Sequence, residues 1–338
     1  MRGIVFHGER HLEMVEFPDP TPDAGEVVIE IEASGMCGSD LHRYRGPREN
    51  ARSEIAGHEP AGVVVGIGTG VDPAWLGQSV MVHHYFGCGR CDQCRLGWTQ
   101  MCRSGAVAMG NTAHGSHADL VKVPAYSVVP MPEGLSFLGA AAIGCGTGTA
   151  WGALERLSLT GADTIAVFGQ GPVGLAATQL ASALGARVIA LDISADRLAR
   201  SREFGAWATV NPVEVDSVDH AVRELTEGRG VSKSLETSGA SSAANAALDV
   251  LDLWGTACWV GVGSTVGFDV TDYLYKQVTA MTSWTMSIES MARCADYVVE
   301  RGIDVDSIFT ERWLLGQGAQ AYELFDQQKS GKGVFVKG

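Results

Sequence analysis

One strand-like run and the glycine pattern that follows it constrain the fold of this chain more than any other feature. Residues 164–168 read Thr-Ile-Ala-Val-Phe, which is typical of a strand buried on both faces of a parallel sheet. Residues 169–174 then have the pattern GxGxxG, and residues 172–184 are predicted to be helical. A buried strand, a glycine-rich turn and a helix in this order predict a βαβ unit.

The same pattern predicts a dinucleotide site, because the glycines allow a tight turn and the close approach of a pyrophosphate at a helix N-terminus. Asp192 ends the next predicted strand, 23 residues after Gly169. Its carboxylate would bind the adenosine ribose and repel a 2′-phosphate, which favours NAD over NADP. The alternative is a cluster of turn glycines beside a capping Asp. The candidate cofactor contacts are Gly169, Gly171, Pro172, Val173, Gly174, Asp192, Arg197, Val260 and Val262.

The rest of the chain divides into parts that differ in their pattern of predicted strands and helices. From about residue 145 onward strands and helices alternate, which predicts a doubly wound sheet. The predicted strands are 187–192, 232–235 and 256–262, and the predicted helices are 150–157, a helix capped by Ser194 and ended by Gly205, and 244–253. The first 130 residues instead contain short strand candidates, at 26–32, 61–68 and 79–82, which predict a small barrel or sandwich. The C-terminal segment has a predicted helix at 291–301 and a predicted strand at 333–337.

Four cysteines lie within fifteen residues, and their spacing indicates a metal site. The set is Cys88, Cys91, Cys94 and Cys102. Four thiolates close a tetrahedron and leave no position for substrate, so the sequence predicts a structural zinc. An iron–sulfur cluster also uses four cysteines, but the sequence offers no other support for that redox chemistry.

A second set of possible metal ligands is dispersed along the chain. Cys37 supplies one thiolate, His58 and Glu59 an imidazole and a carboxylate, and Cys145 a second thiolate just before the doubly wound half. Each fragment is ambiguous by itself, because a single Cys is more often a buried small hydrophobe and a single His a structural one.

Charge and hydropathy exclude several function classes. The 338 residues carry a net charge of −14, and a nucleic-acid or anionic-membrane surface would need a basic face. No stretch approaches the roughly 20 apolar residues of a membrane span. The first residues have no apolar core of the length that a signal peptide needs. We therefore expect a cytoplasmic protein with no nucleic-acid or membrane partner.

Several segments together resemble the zinc-containing medium-chain alcohol dehydrogenases, in order and spacing, along nearly the whole chain. The matching segments are residues 37–42 (Cys-Gly-Ser-Asp-Leu-His), 57–62 (Gly-His-Glu-Pro-Ala-Gly), the four-cysteine lobe, 144–149 (Gly-Cys-Gly-Thr-Gly-Thr), the GxGxxG and Asp192. The resemblance implies an α/β protein with a GroES-like β-rich catalytic domain over residues 1–149, including a zinc lobe at about 86–104. It implies a Rossmann NAD-binding domain over 150–286 and a return to the catalytic domain over 287–338. It further implies a homodimer or homotetramer whose contact is formed by the Rossmann sheet.

The resemblance also implies roles for individual residues. Cys37, His58 and Cys145 correspond to the catalytic zinc ligands, with the fourth position left to water or alcohol. Glu59 corresponds to an adjacent glutamate that binds the zinc transiently or tunes it from nearby. In the same comparison Ser39 corresponds to the hydroxyl that touches the alcohol, His42 to the outer end of a proton relay, and Thr149 to a residue near the nicotinamide. The chain would then hold two zinc ions and NAD.

The predicted function is a zinc- and NAD-dependent alcohol dehydrogenase that interconverts a primary or secondary alcohol with its aldehyde or ketone. A zinc with an open position lowers the pKa of a bound hydroxyl, and hydride then passes to the nicotinamide. One alternative is a polyol or sugar-alcohol dehydrogenase, because residues 57–62 resemble that branch, whereas Cys145 stands where that branch usually has Glu. The other alternative is a catalytically silent, dinucleotide-sensing zinc protein.

The substrate pocket is the least defined part of the prediction. His84 stands where alcohol dehydrogenases often have an aromatic or apolar pocket residue, and it would make the pocket more polar or face a loop. Tyr44 and Trp284 are possible pocket walls, with a core position the alternative for both. His114 and His117 lie in a polar stretch and are predicted to be solvated.

Overall fold

A computed structural model describes residues 1–327 and 331–338 of the chain. The chain divides into two compact units, of which the first comprises residues 1–148 and 287–338 and the second residues 149–286. The strands are β1 (Arg2–Gly8), β2 (His11–Glu16), β3 (Glu26–Gly35), β4 (Glu59–Ile67), β5 (Ser79–Val82), β6 (Tyr85–Phe86), β7 (Val107–Ala108), β8 (Leu120–Pro124), β9 (Val128–Pro130), β10 (Thr164–Phe168), β11 (Arg187–Leu191), β12 (Ala208–Val210), β13 (Val231–Glu236), β14 (Leu251–Trp259), β15 (Thr279–Thr282), β16 (Phe309–Leu314) and β17 (Lys332–Val336). The helices are α1 (Asp40–Arg45), α2 (Asp92–Arg95), α3 (Phe137–Ile143), α4 (Gly146–Arg156), α5 (Pro172–Ala183), α6 (Ala195–Glu203), α7 (Val218–Leu225), α8 (Ser241–Asp249), α9 (Val270–Leu274), α10 (Ile288–Glu300) and α11 (Gly318–Asp326).

The second unit is built on a parallel sheet of six strands in the order β12-β11-β10-β13-β14-β15. Every residue of β10 is buried, as expected of a central strand covered on both faces. The strand order reverses direction between β10 and β13, which is where doubly wound sheets bind their ligands. The predicted α/β fold with a doubly wound parallel sheet is therefore confirmed.

The predicted boundary between α8 and β14 is wrong. Residues 251–253 were expected to continue a helix, but α8 ends at Asp249 and β14 begins at Leu251. Leu251 pairs with Val231 of β13, so this apolar run takes a place in the sheet. The strand ends at Trp259, which leaves Val260 and Val262 beyond it. A short apolar run fits a buried helix and a buried strand equally well, and here the pairing with β13 decides between them.

The first unit contains a largely antiparallel sheet in the order β16-β17-β3-β4-β5-β9, with β8 also paired to β3. The ten-residue β3 is its central element and pairs with β4, β8 and β17. One core cluster of this unit includes Val27, Ile29, Val64 and Val80. Because β17 lies near the C-terminus and β3 near the N-terminus, the C-terminal segment completes the sheet of the first unit.

A second core cluster of the first unit is rich in aromatic rings and contains Tyr44. Its ring centroid lies 5.7 Å from that of Phe6 and 5.3 Å from that of Tyr322. Tyr44 is buried among these rings, which agrees with the core alternative given for it.

No single helix in the described part of the chain has the length and apolar composition needed to cross a bilayer. The two short helices α3 and α4 meet that test only when they are taken together across a bend.

Candidate active site

The four clustered cysteines come together in the first unit, around the short helix α2. The sulfur atoms of Cys88, Cys91, Cys94 and Cys102 all lie within 4.8 Å of one another. Backbone N–H groups are directed at the sulfurs, and hydrogen bonds of this kind lower the pKa of Cys88 to about 6. So tight a set fits one tetrahedral ion, whereas an iron–sulfur cluster would hold the sulfurs farther apart around several irons.

The dispersed residues also converge, although they come from three places in the chain. Cys37 follows β3, His58 and Glu59 are at the start of β4, and Cys145 lies between α3 and α4. One potential ligand atom from each lies within 4.8 Å of the others. The Sγ atoms of Cys37 and Cys145 are 3.9 Å apart, close to the roughly 3.8 Å expected for two sulfurs on a tetrahedral zinc. The donor set therefore fits a zinc ion.

Asp40, at the start of α1, organises two of these potential ligands. Its Oδ1 lies 3.1 Å from Nδ1 of His58, and its Oδ2 accepts a hydrogen bond from the backbone N–H of Cys37. Because Nδ1 is engaged by a carboxylate, Nε2 of His58 remains the nitrogen that is available to a metal. Sequence reasoning named neither this contact nor Asp40 as a site residue, although Asp40 lies within the segment that carries the resemblance.

A buried hydrogen-bonded chain continues beyond Asp40. The hydroxyl of Tyr322 lies 3.2 Å from Asp40 Oδ2 and 2.8 Å from Nε2 of His117, whose Nδ1 contacts Ser34 Oγ at 2.8 Å. His117 is fully buried, so the prediction that it is solvated is wrong, whereas His114 is exposed as predicted. Burial lowers the pKa of His117 to about 4. The polar stretch around His117 misled the prediction because it folds against β3 and α11.

Glu59 is fully buried and paired with a residue that the sequence did not single out. Lys332, at the start of β17, places its Nζ 2.7 Å from Oε1 and 2.6 Å from Oε2 of Glu59. The same nitrogen donates a hydrogen bond to the carbonyl oxygen of Met36. Burial alone would lower the pKa of Lys332, but the charges of Glu59 and of the nearby cysteines raise it.

The two residues of the predicted proton relay lie at the surface of the first unit. Ser39 donates a hydrogen bond from Oγ to the Sγ of Cys37 at 3.3 Å, so its hydroxyl is adjacent to the potential ligands. His42 follows one turn later in α1, and both side chains are exposed. Their roles remain predictions.

His84 is buried beside the potential zinc ligands, since its ring centroid lies 5.0 Å from that of His58. Its Nδ1 is 2.9 Å from the carbonyl oxygen of Gly144. A carbonyl oxygen only accepts hydrogen bonds, so Nδ1 carries the proton and Nε2 is left as an acceptor. Burial lowers the pKa of His84 well below its usual range, which keeps the ring neutral.

In the second unit, the glycine turn after β10 is tightly folded and is open where α5 begins. Gly169 has a φ of +86°, and a side chain on Gly174 would collide with the carbonyl oxygen of Gly169. A Cβ on Gly171 would meet no other atom within 4 Å, so the turn is open at the start of α5. Pro172 and Val173 are the first residues of that helix. This arrangement fits an anion at the helix N-terminus.

Asp192 lies beside this turn, immediately after β11. Its Oδ2 accepts a hydrogen bond from the backbone N–H of Gln170 at 2.7 Å, and its Oδ1 accepts one from the N–H of Ser194. Each carboxylate oxygen retains a lone pair for a ribose hydroxyl. The guanidinium of Arg197 is 3.9 Å from Asp192 Oδ2, within reach of the same group.

Glu236 is a residue of the second unit that the sequence reasoning missed. It is fully buried at the end of β13, and its Oε1 accepts hydrogen bonds from the backbone N–H groups of Ser238 and Gly239. A Cβ on Gly169 would lie 2.9 Å from Cβ of Ser238, so Glu236 shapes the loop that faces the glycine turn. A single Glu that ends a strand gives no signal of this role.

The other predicted residues of the second unit lie as follows. Val260 follows β14, and its N–H donates to the carbonyl oxygen of Glu236, whereas Val262 is exposed. Thr149 is buried in α4, and Trp284 is 53% exposed. Their assignment to the cofactor and the substrate remains a prediction.

Comparison with known proteins identifies two domain profiles that match the sequence of this chain. The sequence profile of the alcohol dehydrogenase GroES-like domain matches residues 23–133, and that of the zinc-binding dehydrogenase domain matches residues 172–300. The two profiles together indicate an oxidoreductase of the alcohol dehydrogenase type. The chain belongs to the zinc-containing medium-chain dehydrogenase/reductase family, and the resemblance seen in its sequence is confirmed.

Three relatives illustrate the range of this family. The uncharacterised zinc-type alcohol dehydrogenase-like protein YphC of Escherichia coli K12 is 32% identical, with 99% of this chain and 98% of that protein covered. The sorbitol dehydrogenase of Halalkalibacterium halodurans is 30% identical, with 98% and 96% covered. The structure of alcohol dehydrogenase TADH from Thermus sp. ATN1 is similar with a TM-score of 0.93 and 27% identity, and 99% of both chains is covered.

Proposed function

We propose that this protein is a zinc- and NAD-dependent dehydrogenase that interconverts an alcohol with its aldehyde or ketone. The observation that carries the proposal is the convergence of Cys37, His58 and Cys145, with Nδ1 of His58 held by Asp40. Three protein ligands with a fourth position open to substrate are the arrangement of a catalytic zinc. The four-cysteine cluster would hold a second, structural zinc.

When bound, zinc polarises the alcohol or carbonyl oxygen, and NAD accepts or returns the hydride. The residues of the chain supply binding, orientation and proton transfer. Ser39 Oγ, beside Cys37, would accept the hydroxyl proton of the substrate as its own proton leaves toward His42, which would release it to solvent. In the second unit, the glycine turn would bind the pyrophosphate, and Asp192 would bind the ribose and disfavour a 2′-phosphate.

A polyhydroxy alcohol is the second candidate substrate class, and His84 is the observation that favours it. Its neutral ring offers Nε2 as a fixed acceptor close to His58, where a second hydroxyl of the substrate would find a partner. A buried acceptor left without a partner costs binding free energy, so such a residue discriminates against purely apolar alcohols.

We also propose that two or more copies of the chain assemble through the second unit. Strand β15 is an edge of its sheet and is mostly exposed, and the neighbouring Trp254 and Tyr275 are 73% and 80% exposed. An unpaired edge beside exposed aromatic rings is well suited to pairing with a second copy. Light scattering coupled to size-exclusion chromatography would measure the mass, and a monomer would contradict this assembly.

The experiment that tests the function is reduced-nicotinamide absorbance with zinc-replete protein and NAD, across linear, secondary, aromatic and polyhydroxy alcohols. We expect turnover with at least one class, abolished by Cys37→Ala and retained by Cys258→Ala, which removes a buried thiol outside both clusters. If His84 contacts substrate, His84→Phe should raise the turnover of apolar alcohols and lower that of polyhydroxy alcohols. No turnover with any of these alcohols, with zinc bound and NAD binding intact, would instead favour a dinucleotide-sensing protein.

A further inference from the structure

Lys332 is a buried cation whose side-chain hydrogen bonds are directed to Glu59 and Met36, next to the potential metal ligands. Only 2% of its side chain is exposed, and its Nζ lies within 2.7 Å of both carboxylate oxygens of Glu59. A third contact, to the carbonyl oxygen of Met36, ties it to the residue before Cys37. Burying an ammonium group is costly unless it is paired and hydrogen-bonded, so the contacts with Glu59 and Met36 hold Lys332 in this position.

Glu59 is close enough to the other potential ligands to join them. A carboxylate oxygen of Glu59 lies within 4.8 Å of the ligand atoms of Cys37, His58 and Cys145. A carboxylate oxygen has two lone pairs, so the ion pair with Lys332 does not exhaust the capacity of Glu59 to bind a metal. With four protein donors the coordination of a tetrahedral zinc would be complete, and no position would remain for an alcohol.

Counting charges shows how Lys332 affects the competition between Glu59 and an alcohol for the fourth position on the metal. Two thiolates already neutralise a divalent zinc, and the carboxylate of Glu59 would leave an excess negative charge in a buried place. The ammonium of Lys332 cancels that charge while it holds the carboxylate through a short ion pair. Without the ammonium, a metal ion would be the nearest alternative partner for the carboxylate.

We propose that Lys332 is a positioning residue. Its ammonium holds the Glu59 carboxylate in an ion pair, away from the catalytic metal, and thereby leaves one coordination position of that metal open to substrate. The inference rests on the proposed catalytic zinc site. It assigns a specific task to the C-terminal segment, which supplies no potential ligand to that site among the described residues.

The test measures the open position directly, without catalysis. The protein is loaded with Co²⁺ and titrated with imidazole, which binds an open metal position and shifts the visible spectrum. The four-cysteine site has no open position, so the difference spectrum reports the catalytic ion alone.

The variants are Lys332→Met, Lys332→Arg and the double variant Lys332→Met with Glu59→Gln. Lys337→Met is the matched control, because Lys337 lies five residues later and forms exposed ion pairs with Glu30 and Glu32.

We expect Lys332→Met to bind imidazole about tenfold or more weakly than the unmodified protein, the scale on which residues behind metal ligands act. Lys332→Arg and Lys337→Met should bind it normally, and the double variant should recover, because the neutral amide that replaces the carboxylate is a weak metal ligand. Unchanged binding in Lys332→Met would overturn the inference. If that variant does not fold, the double variant, which leaves no buried charge unpaired, decides: weak imidazole binding there also overturns it.

The proposed function and this inference fail in different ways. If the unmodified protein binds no Co²⁺ at Cys37, His58 and Cys145, the proposed metal site is wrong. If it binds Co²⁺ and imidazole, and Lys332→Met behaves identically, only the role of Lys332 is wrong. A rise in KM with the catalytic constant retained in Lys332→Met would accompany the weaker imidazole binding, because both report competition for the same position.

Discussion

Nδ1 of His58 lies 3.1 Å from Oδ1 of Asp40, and this contact fixes which nitrogen of the ring faces Cys37 and Cys145. Both groups are buried, so water does not compete for the hydrogen bond. The same carboxylate accepts the backbone N–H of Cys37 through its other oxygen. One side chain therefore orients two of the three potential zinc ligands.

Replacing Asp40 with Asn should weaken zinc binding at this cluster by about ten- to a hundredfold, because the negative charge that strengthens His58 as a ligand is lost. Competition with a chromophoric chelator would measure the affinity. Asp119→Asn is a suitable control, since Asp119 forms a surface ion pair with Arg2 away from both clusters. Equal zinc affinity in the two variants would contradict the role assigned to Asp40.

Replacing Cys91 with Ser should remove one zinc per chain and lower the thermal midpoint, because a lobe held by the metal loses much of its folding free energy. The remaining zinc should stay with Cys37, His58 and Cys145. Elemental analysis would count the metal, with Cys258→Ala as a control that keeps every clustered cysteine. Iron in the unmodified protein, or two zinc ions in the Cys91 variant, would contradict this assignment.

The parts of this fold that the sequence predicts well are those whose signals are local. The strand β10, the glycine turn and α5 follow one another directly, and the four-cysteine lobe occupies fifteen residues. Such patterns need no knowledge of the rest of the chain, because turn geometry and ligand spacing are properties of the segment itself.

The parts that escaped prediction depend on partners far away in the chain. Lys332 is 273 residues from Glu59, and Tyr322 is 205 residues from His117. A Lys at the start of a strand usually marks a solvated end, and a His in a polar stretch usually marks a surface loop. The pairing of β17 with β3 brings the C-terminal segment next to the potential metal ligands, where distant partners enclose both side chains.

Replacing Asp192 with Gly should lower the preference for NAD over NADP by about tenfold or more, because a carboxylate that repels a 2′-phosphate is removed while Arg197 stays nearby. The ratio of kcat/KM for the two cofactors measures this preference. Asp192→Asn separates charge from shape, since its amide oxygen can still accept one of the two backbone hydrogen bonds. An unchanged ratio in both variants would contradict the ribose role of Asp192.

His117 should make the stability of the first unit depend on pH in the acidic range. Its pKa is about 4 in the folded protein and about 6.5 in an unfolded chain, so the unfolded state takes up the proton first. The contribution is therefore complete above pH 6.5 and declines as the pH falls toward 4. By this linkage, about 2 kcal/mol is lost between pH 7.5 and pH 5.

The variant His117→Gln should be less stable at pH 7.5, because the contacts with Ser34 and Tyr322 are disturbed, but its stability should fall less steeply on acidification. Urea unfolding at pH 7.5 and pH 5 of the zinc-loaded protein gives the two slopes to compare. Protonation of the metal ligands affects both proteins alike, so the difference between their slopes isolates His117. The exposed His11 provides the control variant His11→Gln, which should follow the unmodified protein. Parallel losses of stability in His117→Gln and the unmodified protein would show that His117 is not the group that titrates.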